Sequence, residues 1–377
     1  MNGNGDVPNV ATKDHRLTPR ARRVLALVRR KGSVSRSDLI RDTGLSGTAV
    51  FRATEELEAA GLLRSGESVV RGRGQPSAMM HVVADAAFGL GLSVMTDRAD
   101  VVLLDLAGAV RARRDVSAPG MTRAAILDKV AAFRDEQPVR DRIVGIGVAI
   151  AGFFTGPAIV NPGAELDDWA LIDLADAVGR ALGIPAVVEN IASAAAIGER
   201  LLGVGVDHAS FCYVNVAAGF GAGLVDGGQL VRGRHGNAGE IAGLFALAGR
   251  TTPNLADLRD TLARHGTACD GIADLVTRFD PAWPGVDAWL AERQSAFAWL
   301  FQMLRYTLDC EAIVLGGRLP RPLAQRIVDA TVWPEFSLPA RRGVRAPATL
   351  LMVAALDPEL AAPLGAASLV LHRAMFD

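Results

Sequence analysis

Two short helical segments joined by a tight turn, within residues 35–60, are the feature that most constrains this chain. Ser35 and Ser46 each stand where a hydroxyl can cap the start of a helix, and Gly44 permits the sharp turn between them. The second segment has its apolar residues on one helical face: Val50, Ala53 and Leu57. This pattern predicts a helix-turn-helix, whose second helix enters the major groove of DNA.

The outer face of that second helix carries the candidate DNA contacts. They are Ser46, Gly47, Thr48, Phe51 and Arg52. Gly47 and Thr48 are small enough to bring the backbone near the bases, and Arg52 can contact a phosphate or a guanine edge. Phe51 can contact a thymine methyl group; the alternative is that its ring packs under an adjacent β-hairpin.

That hairpin, the wing of a winged helix-turn-helix, is expected over residues 62–70 with its turn at Ser65-Gly66-Glu67. Arg71, Arg73 and Gln75 follow it. Arginines flanked by glycine suit a narrow minor groove, so we predict that these residues contact DNA as well. The alternative is a flexible interdomain linker with solvated arginines.

Residues 17–83 are therefore predicted to form a winged DNA-binding domain. Its first helix should start at Thr18, and Leu39 and Ile40 should point into its core. Residues 1–83 contain 14 Lys and Arg against 8 Asp and Glu, a balance of +6, so the rest of the chain carries −7. A basic head on an acidic body is typical of a DNA-binding domain joined to a different kind of domain.

Residues 1–16 are polar and aperiodic, which predicts a disordered arm. They contain no apolar signal core, and no run of the chain reaches the roughly 18 apolar residues that a membrane span needs. The three cysteines, Cys212, Cys269 and Cys310, are too far apart in sequence for a disulfide framework or a paired-cysteine zinc site. We expect a cytoplasmic protein without membrane contact.

Beyond residue 84, strands alternate with helices and glycine-rich turns separate them. Strands are expected at residues 101–108, 143–150, 186–188, 211–216 and 312–315, and helices at 124–134 and 171–182. Such alternation predicts an α/β fold for the body.

The order and spacing of several short segments in this body resemble the ROK family, which groups bacterial sugar-responsive repressors with sugar kinases. These segments are Asp105-Leu106-x-Gly108, Gly147-x-x-x-Ala151-Gly152, Val188-Glu189-Asn190, Gly219-x-Gly221-Ala222-Gly223, Gly236-x-Ala238-Gly239-Glu240-Ile241 and Leu315-Gly316-Gly317. The resemblance implies a two-lobed, actin-like and ribonuclease-H-like body over residues 84–377. Its small lobe would span about 84–187 plus a C-terminal helix at 358–377, and its large lobe about 188–357.

Departures from the ROK kinases argue against phosphoryl transfer and against a metal. The segment that corresponds to the family's glycine-containing phosphate loop is Ser93-Val94-Met95-Thr96-Asp97, without glycine. Ile191 stands where the kinases have their catalytic Asp, and Ala217-Ala218-Gly219 replaces Gly-Thr-Gly. The family's zinc segment is here Ala242-Gly243-Leu244, followed by a stretch without Cys or His. We expect no catalytic residue, no metal and no cofactor.

By the same resemblance, four residues belong to the ligand-binding cleft: Gly152, Glu189, Asn190 and Glu240. Amide and carboxylate groups can each grip paired sugar hydroxyls. Ile191 and Ser193 replace polar residues of the family pocket, which favours a modified or less hydroxylated sugar. Trp169 can stack on a sugar face, the alternative being a core tryptophan.

Together these features predict a repressor that acts as a homodimer, or a higher homo-oligomer, on a double-stranded DNA operator and senses a sugar or sugar derivative. Two alternatives stay open. One is a sugar kinase with an appended DNA-binding domain, against which Ile191 is the main argument. The other is a regulator without a ligand, whose body only dimerises.

Overall fold

The structure, a computed structural model, describes residues 17–69, 77–332 and 347–376. The head contains, in chain order, α1 (Pro19–Lys31), β1 (Ser33–Ser35), α2 (Arg36–Thr43), α3 (Gly47–Ala59), β2 (Leu63–Val69) and β3 (Ser77–Val82). Thr18, Ser35 and Ser46 cap the three helices, each accepting a hydrogen bond from the backbone N–H three residues on. The predicted helix starts are confirmed.

The core of the head is formed by the inner faces of these helices. Val50, Ala53 and Leu57 of α3 are buried, as predicted, and so is Leu39 of α2. The inward orientation expected for Ile40 is wrong, because 39% of its surface is exposed. In an eight-residue helix only a narrow stripe faces the core, and Leu39 together with Thr43 occupies it.

The wing differs from the prediction in its turn. β2 continues past Ser65-Gly66-Glu67 with a shift of register between Ser65 and Ser68, and it pairs with β3, which also pairs with β1, so the predicted turn is wrong. Gly66 instead provides room, because a Cβ there would lie 2.7 Å from the His81 ring. Residues 70–76, which connect β2 to β3 and include Arg71, Arg73 and Gln75, lie outside the described residues.

The first lobe of the body contains a five-stranded sheet. Its elements are β4 (Phe88–Val94), β5 (Ala99–Asp105), β6 (Val110–Asp115), α4 (Arg123–Asp135), β7 (Ile143–Ile150), β8 (Phe153–Gly156), β9 (Ile159–Asn161), α5 (Leu174–Leu182) and β10 (Ala186–Asn190). The order in space is β10-β7-β4-β5-β6. β10 pairs with β7 as far as Asn190, so the predicted lobe boundary near residue 187 falls inside a strand.

The second lobe repeats this arrangement. Its elements are α6 (Ile191–Leu202), β11 (Phe211–Val216), β12 (Phe220–Asp226), β13 (Gln229–Leu230), α7 (Ala242–Leu247), α8 (Leu255–Arg264), α9 (Ile272–Arg278), α10 (Pro284–Leu308), β14 (Ala312–Gly317), α11 (Arg321–Ala330) and β15 (Leu350–Val353). The last helix, α12 (Ala361–Met375), follows β15 in the chain but packs on the sheet of the first lobe. The spatial order is β13-β12-β11-β14-β15. In both sheets the first three strands are antiparallel and the last two are parallel additions, which is the duplicated α/β architecture of an actin-like fold.

Two helices, α6 and α12, cross at very short range between the lobes. A Cβ on Gly365 would lie 1.8 Å from the Ala194 carbonyl oxygen, and one on Gly198 would lie 2.2 Å from that of Ala361. α12 also packs against β4 and β7 of the first lobe. Glycine is required at both crossing positions because the backbones themselves are in contact.

The carboxyl end of α12 joins the body to the head. Leu371 and Met375 of α12 share one apolar cluster with Leu25 of α1. The Arg29 guanidinium lies 5.6 Å from the centre of the Phe376 ring. Burial, together with the nearby Arg200 guanidinium, lowers the pKa of Arg29 to about 10. Head and body therefore share a packed contact and are linked by more than a tether.

Candidate functional site

The first candidate surface is the outer face of α3. Ser46, Gly47, Thr48, Phe51 and Arg52 are all exposed there, while Val50, Ala53, Thr54 and Leu57 form the buried face. The sequence-predicted contacts of this helix thus lie on one side, at its amino-terminal half. That half is the part of a recognition helix that reaches base edges in helix-turn-helix proteins.

Phe51 does not pack under the wing, so that alternative is wrong. Its side chain is 47% exposed, and the Arg36 guanidinium of α2 stacks over it at 5.4 Å from the ring centre. Arg36 was not singled out in the sequence, because its position at the start of α2 gives no sign of a contact with α3.

The second candidate surface is the cleft between the lobes, where β7 and β10 end side by side. Gly152 follows β7 and Asn190 ends β10; in α/β sheets the carboxyl ends of parallel strands are where ligands bind. Gly152 has a left-handed φ of 137°, and a Cβ there would lie 2.8 Å from Pro162. Glu240 comes from the opposite lobe, directly after Gly239, which is pressed against the Ala222 carbonyl.

Asn190 is the centre of this cleft. Its Oδ1 caps α6 by accepting hydrogen bonds from the N–H groups of Ala192 (2.8 Å) and Ser193 (3.4 Å). Its Nδ2 donates to the Gly152 carbonyl at 3.0 Å and to Glu240 Oε1 at 3.3 Å. The structure therefore brings together three of the four residues predicted for ligand binding.

Glu189, the fourth, is buried and already neutralised. Its Oε2 accepts a hydrogen bond from Arg232 Nε at 2.8 Å, and its Oε1 accepts one from the Asn190 N–H at 3.0 Å. Arg232 lies 43 residues further along the chain and was not predicted. Because its charge is paired inside the protein, Glu189 is an internal support of the cleft.

Glu240 is the acidic group left facing the cleft. Desolvation raises the pKa of its carboxyl above the usual glutamate range. The neutral Asn190 amide donates a hydrogen bond to this carboxyl. A carboxylate in this position can accept hydrogen bonds from the hydroxyl groups of a ligand.

Further polar contacts join the two lobes across the cleft. Asn237 binds the backbone of Phe154 twice, accepting from its N–H at 2.7 Å and donating to its carbonyl at 2.9 Å. Asp97, in the segment that corresponds to the kinase phosphate loop, binds the buried Arg318 guanidinium of the other lobe. An acidic side chain already bound to a buried arginine stands where the resemblance puts the phosphates.

Two other predicted features are settled by burial. Ile191 is buried in an apolar cluster with Met95 and Ala149, so no proton acceptor stands at this position. Trp169 is fully buried and donates its Nε1–H to the Met121 carbonyl at 2.9 Å, so stacking on a ligand is wrong.

Neither a metal-binding cluster nor a membrane-spanning helix occurs in the part of the chain that the structure describes. Among residues 17–69, 77–332 and 347–376, no three His, Cys, Asp or Glu side chains come together as a metal site. Within the same part of the chain, none of the helices combines the length and apolar character needed to cross a membrane.

Comparison with known proteins assigns both parts of the chain. Residues 17–64 match the winged helix-turn-helix DNA-binding family, and residues 90–270 match the ROK family. An uncharacterized protein of Sinorhizobium fredii, y4fQ, is 26% identical over 336 residues, which cover 87% of this chain and 86% of that protein. The xylose repressor of Bacillus subtilis is 25% identical over 230 residues, 58% of each chain.

A solved structure has the same overall architecture. The crystal structure of a ROK family transcriptional regulator, a homolog of the Escherichia coli MLC protein, superposes with a TM-score of 0.69 at 20% identity. The superposition covers 94% of this chain and 96% of the other, so the similarity of fold extends through head and body alike. The chain is therefore a two-part protein, in which a winged helix-turn-helix DNA-binding domain is joined to a domain of the ROK family.

Proposed function

We propose that this protein is a transcriptional repressor, which binds double-stranded DNA through its head and a sugar or sugar-like effector in the cleft of its ROK domain. The exposed α3 face supports the first part. The convergence of Gly152, Asn190 and Glu240 supports the second, as does the similarity to a protein named xylose repressor. The cleft works without catalysis, since the apolar Ile191 cannot take a proton from a hydroxyl.

The observation that carries the proposal is the position of Asn190. One amide group touches both lobes of the cleft and also caps α6. α6 crosses α12 in backbone contact, and α12 ends against the head. An effector that draws Asn190 or Glu240 to itself therefore acts on the helix pair that supports the DNA-binding domain.

Coupling of this kind needs two states with different effector affinities. In the described structure the lobes are held together by the Asn237–Phe154 and Asp97–Arg318 contacts. An effector that binds better to a different lobe angle would shift α12, and with it the heads of a homodimer. The operator is then two half-sites, whose spacing matches only one of the two states.

The test is thermal unfolding of the full chain with a panel of pentoses, hexoses, amino sugars, polyols and sugar phosphates. A ligand that binds the folded state raises the melting temperature by mass action. We expect a hit whose effect is lost in Glu240→Ala and kept in Asp141→Ala, an exposed acidic control in the first lobe. The same ligand should change the affinity for DNA.

Other outcomes would contradict the proposal in distinct ways. Turnover of ATP with a sugar, lost in Asn190→Ala, would make the body a kinase. DNA binding without any effect of the panel on stability would favour a body that only joins two heads.

A further inference from the structure

We infer that Phe51 reads the methyl group of a thymine, and that Arg36 is the positioning residue that holds its ring for this contact. The inference rests on the proposed DNA-binding function. It assigns one residue of the α3 face to one chemical group of the DNA, and it assigns a role to a residue of α2 that lies outside that face.

The exposure of Phe51 is the first argument. Its ring is 47% exposed on a face that otherwise carries Gly47, Thr48 and Arg52, and it adds nothing to the buried side of α3. An aromatic ring left in water forgoes the free energy of burial. A partner that covers this ring would recover it.

The second argument is that the ring is held. Arg36 stacks over Phe51 at 5.4 Å, and its terminal nitrogen lies 3.5 Å from Glu58 Oε2. Glu58 in turn accepts a hydrogen bond from Ser65 Oγ of the wing strand β2 at 2.5 Å. These contacts run from β2 through α3 and α2 to the ring, so Phe51 has one face against a guanidinium and the rest toward solvent.

These contacts also determine what Arg36 does not do. Its charge is balanced by Glu58 and its planar face is covered by the ring, which makes it a support for Phe51 instead of a phosphate contact. The ring itself has no hydrogen-bonding group with which to bind a phosphate or a base edge.

The partner that fits is the C5-methyl group of thymine. It is the apolar group that a base pair presents in the major groove, and phenylalanine is among the side chains that contact it. Phe51 lies one helical turn beyond Gly47 and Thr48, which bring α3 close to the groove. The head should therefore distinguish thymine from cytosine at one position of each half-site.

The experiment begins with duplexes selected by the full chain from a randomised DNA pool. Each thymine of a selected duplex is then replaced in turn by deoxyuridine, which lacks only the methyl group, and binding is measured by fluorescence anisotropy at constant salt. We expect one replacement per half-site to weaken binding roughly fourfold, the effect of one apolar methyl-sized contact.

Substitutions in the head then identify the side chains that produce this methyl effect. Phe51→Ala should bind the thymine and deoxyuridine duplexes equally, and Phe51→Leu should keep part of the difference. Arg36→Ala should lose most of the difference, whereas Arg41→Ala, which removes a charge from the same helix without touching Phe51, should keep it. Thermal unfolding confirms that each variant is folded.

Three results would overturn the inference while the proposed function stands. The first is a selected duplex whose affinity no deoxyuridine replacement changes. The second is a methyl effect that persists in Phe51→Ala, and the third is one that survives undiminished in Arg36→Ala. Failure to select any duplex would overturn the proposed DNA binding itself.

Discussion

On the face of α3 the candidate side chains point into solvent, whereas in the cleft the candidate side chains bind one another. Thr48 and Arg52 are exposed, and their removal takes nothing from the packing of the head. Asn190, by contrast, caps a helix and joins two lobes, and Glu189 is buried against Arg232. The α3 face is thus ready for a partner, while an effector bound in the cleft would have to compete with contacts that the protein already makes.

This difference has a physical cause. DNA is a large, highly charged partner, and the exposed face of a head with a positive charge balance attracts it without prior rearrangement. A small effector has few atoms, so it can shift a conformational equilibrium only by exchanging specific contacts in one state for others. Residues of the cleft should therefore affect stability as well as binding, and residues of the α3 face should affect binding alone.

The largest effect should come from the ion pair that joins the lobes. Asp97→Ala leaves the buried Arg318 charge without its partner, so we expect a loss of about 3–5 kcal/mol in the free energy of unfolding. The head supplies the control: Asp42→Ala breaks the surface pairs with Lys31 and Arg41 and should cost far less. Denaturant unfolding measures both. Equal losses would show that the ion pair between the lobes contributes no more to stability than a surface pair of the head. The double variant Asp97→Ala, Arg318→Met, which removes both charges, should recover most of the stability lost in Asp97→Ala.

The second largest effect should be on the affinity for specific DNA. Arg52→Ala should weaken specific binding by about 1–3 kcal/mol, roughly 5- to 150-fold, because a base or phosphate contact is lost from the recognition helix. Its melting temperature should stay that of the parent protein. Arg113→Ala, which removes an exposed arginine from β6, is the control and should bind DNA normally. Unchanged affinity in Arg52→Ala would refute the assignment of α3 as the recognition helix.

A smaller effect is expected on stability, and it compares the cleft with the α3 face directly. Asn190→Ala removes the cap of α6 and should cost about 1 kcal/mol of stability even without an effector. Thr48→Ala, on the exposed face, should change stability by no more than about 0.5 kcal/mol. Thermal unfolding of both variants without ligand decides the point. A destabilised Thr48→Ala beside an unaffected Asn190→Ala would reverse the comparison.

The smallest effect should depend on pH. Desolvation raises the pKa of Glu240 in the folded state, so its ionised form opposes folding at neutral pH. Glu240→Gln should therefore melt slightly higher than the parent at pH 7. As the pH falls through the raised pKa, the parent takes up a proton and the difference in melting temperature between the two proteins narrows. It should vanish below about pH 4, where glutamate is protonated in the folded and the unfolded state. A difference in melting temperature that is the same at pH 7 and below pH 4 would mean that the charge of Glu240 is not involved.

Much of the fold could be predicted from the sequence, because helix starts and buried strands depend on residues that are close together in the chain. The caps at Thr18, Ser35 and Ser46 act within three residues, and the strands predicted at 143–150, 211–216 and 312–315 are mostly apolar runs. The wing turn was misplaced because Gly66 looks like a turn residue, whereas in the structure it lies within β2, where the register shifts and the His81 ring of the neighbouring strand comes close.

The site was predictable only in part. Gly152, Asn190 and Glu240 follow from the family resemblance, and the structure brings them together. Arg36, Arg232, Asn237 and Arg318 were missed, since an arginine or asparagine in a polar segment gives no sign of the distant group that it binds. For Trp169 the sequence favoured a core tryptophan over stacking on a sugar, and its burial confirms this; the carbonyl that accepts from its indole N–H, that of Met121, lies 48 residues away and could not be predicted.

The sequence by itself determined the two-part organisation, the helix starts of the head, the α/β character of the body and the absence of a proton acceptor at residue 191. Those properties depend on neighbouring residues and on side-chain type. Only the tertiary structure decided that Phe51 is held outward by Arg36, that Glu189 and Asp97 are neutralised by Arg232 and Arg318, and that α12 links cleft and head. These contacts join residues from 15 positions apart, for Arg36 and Phe51, to 347 positions apart, for Arg29 and Phe376, and chain folding alone brings such residues within a few ångströms.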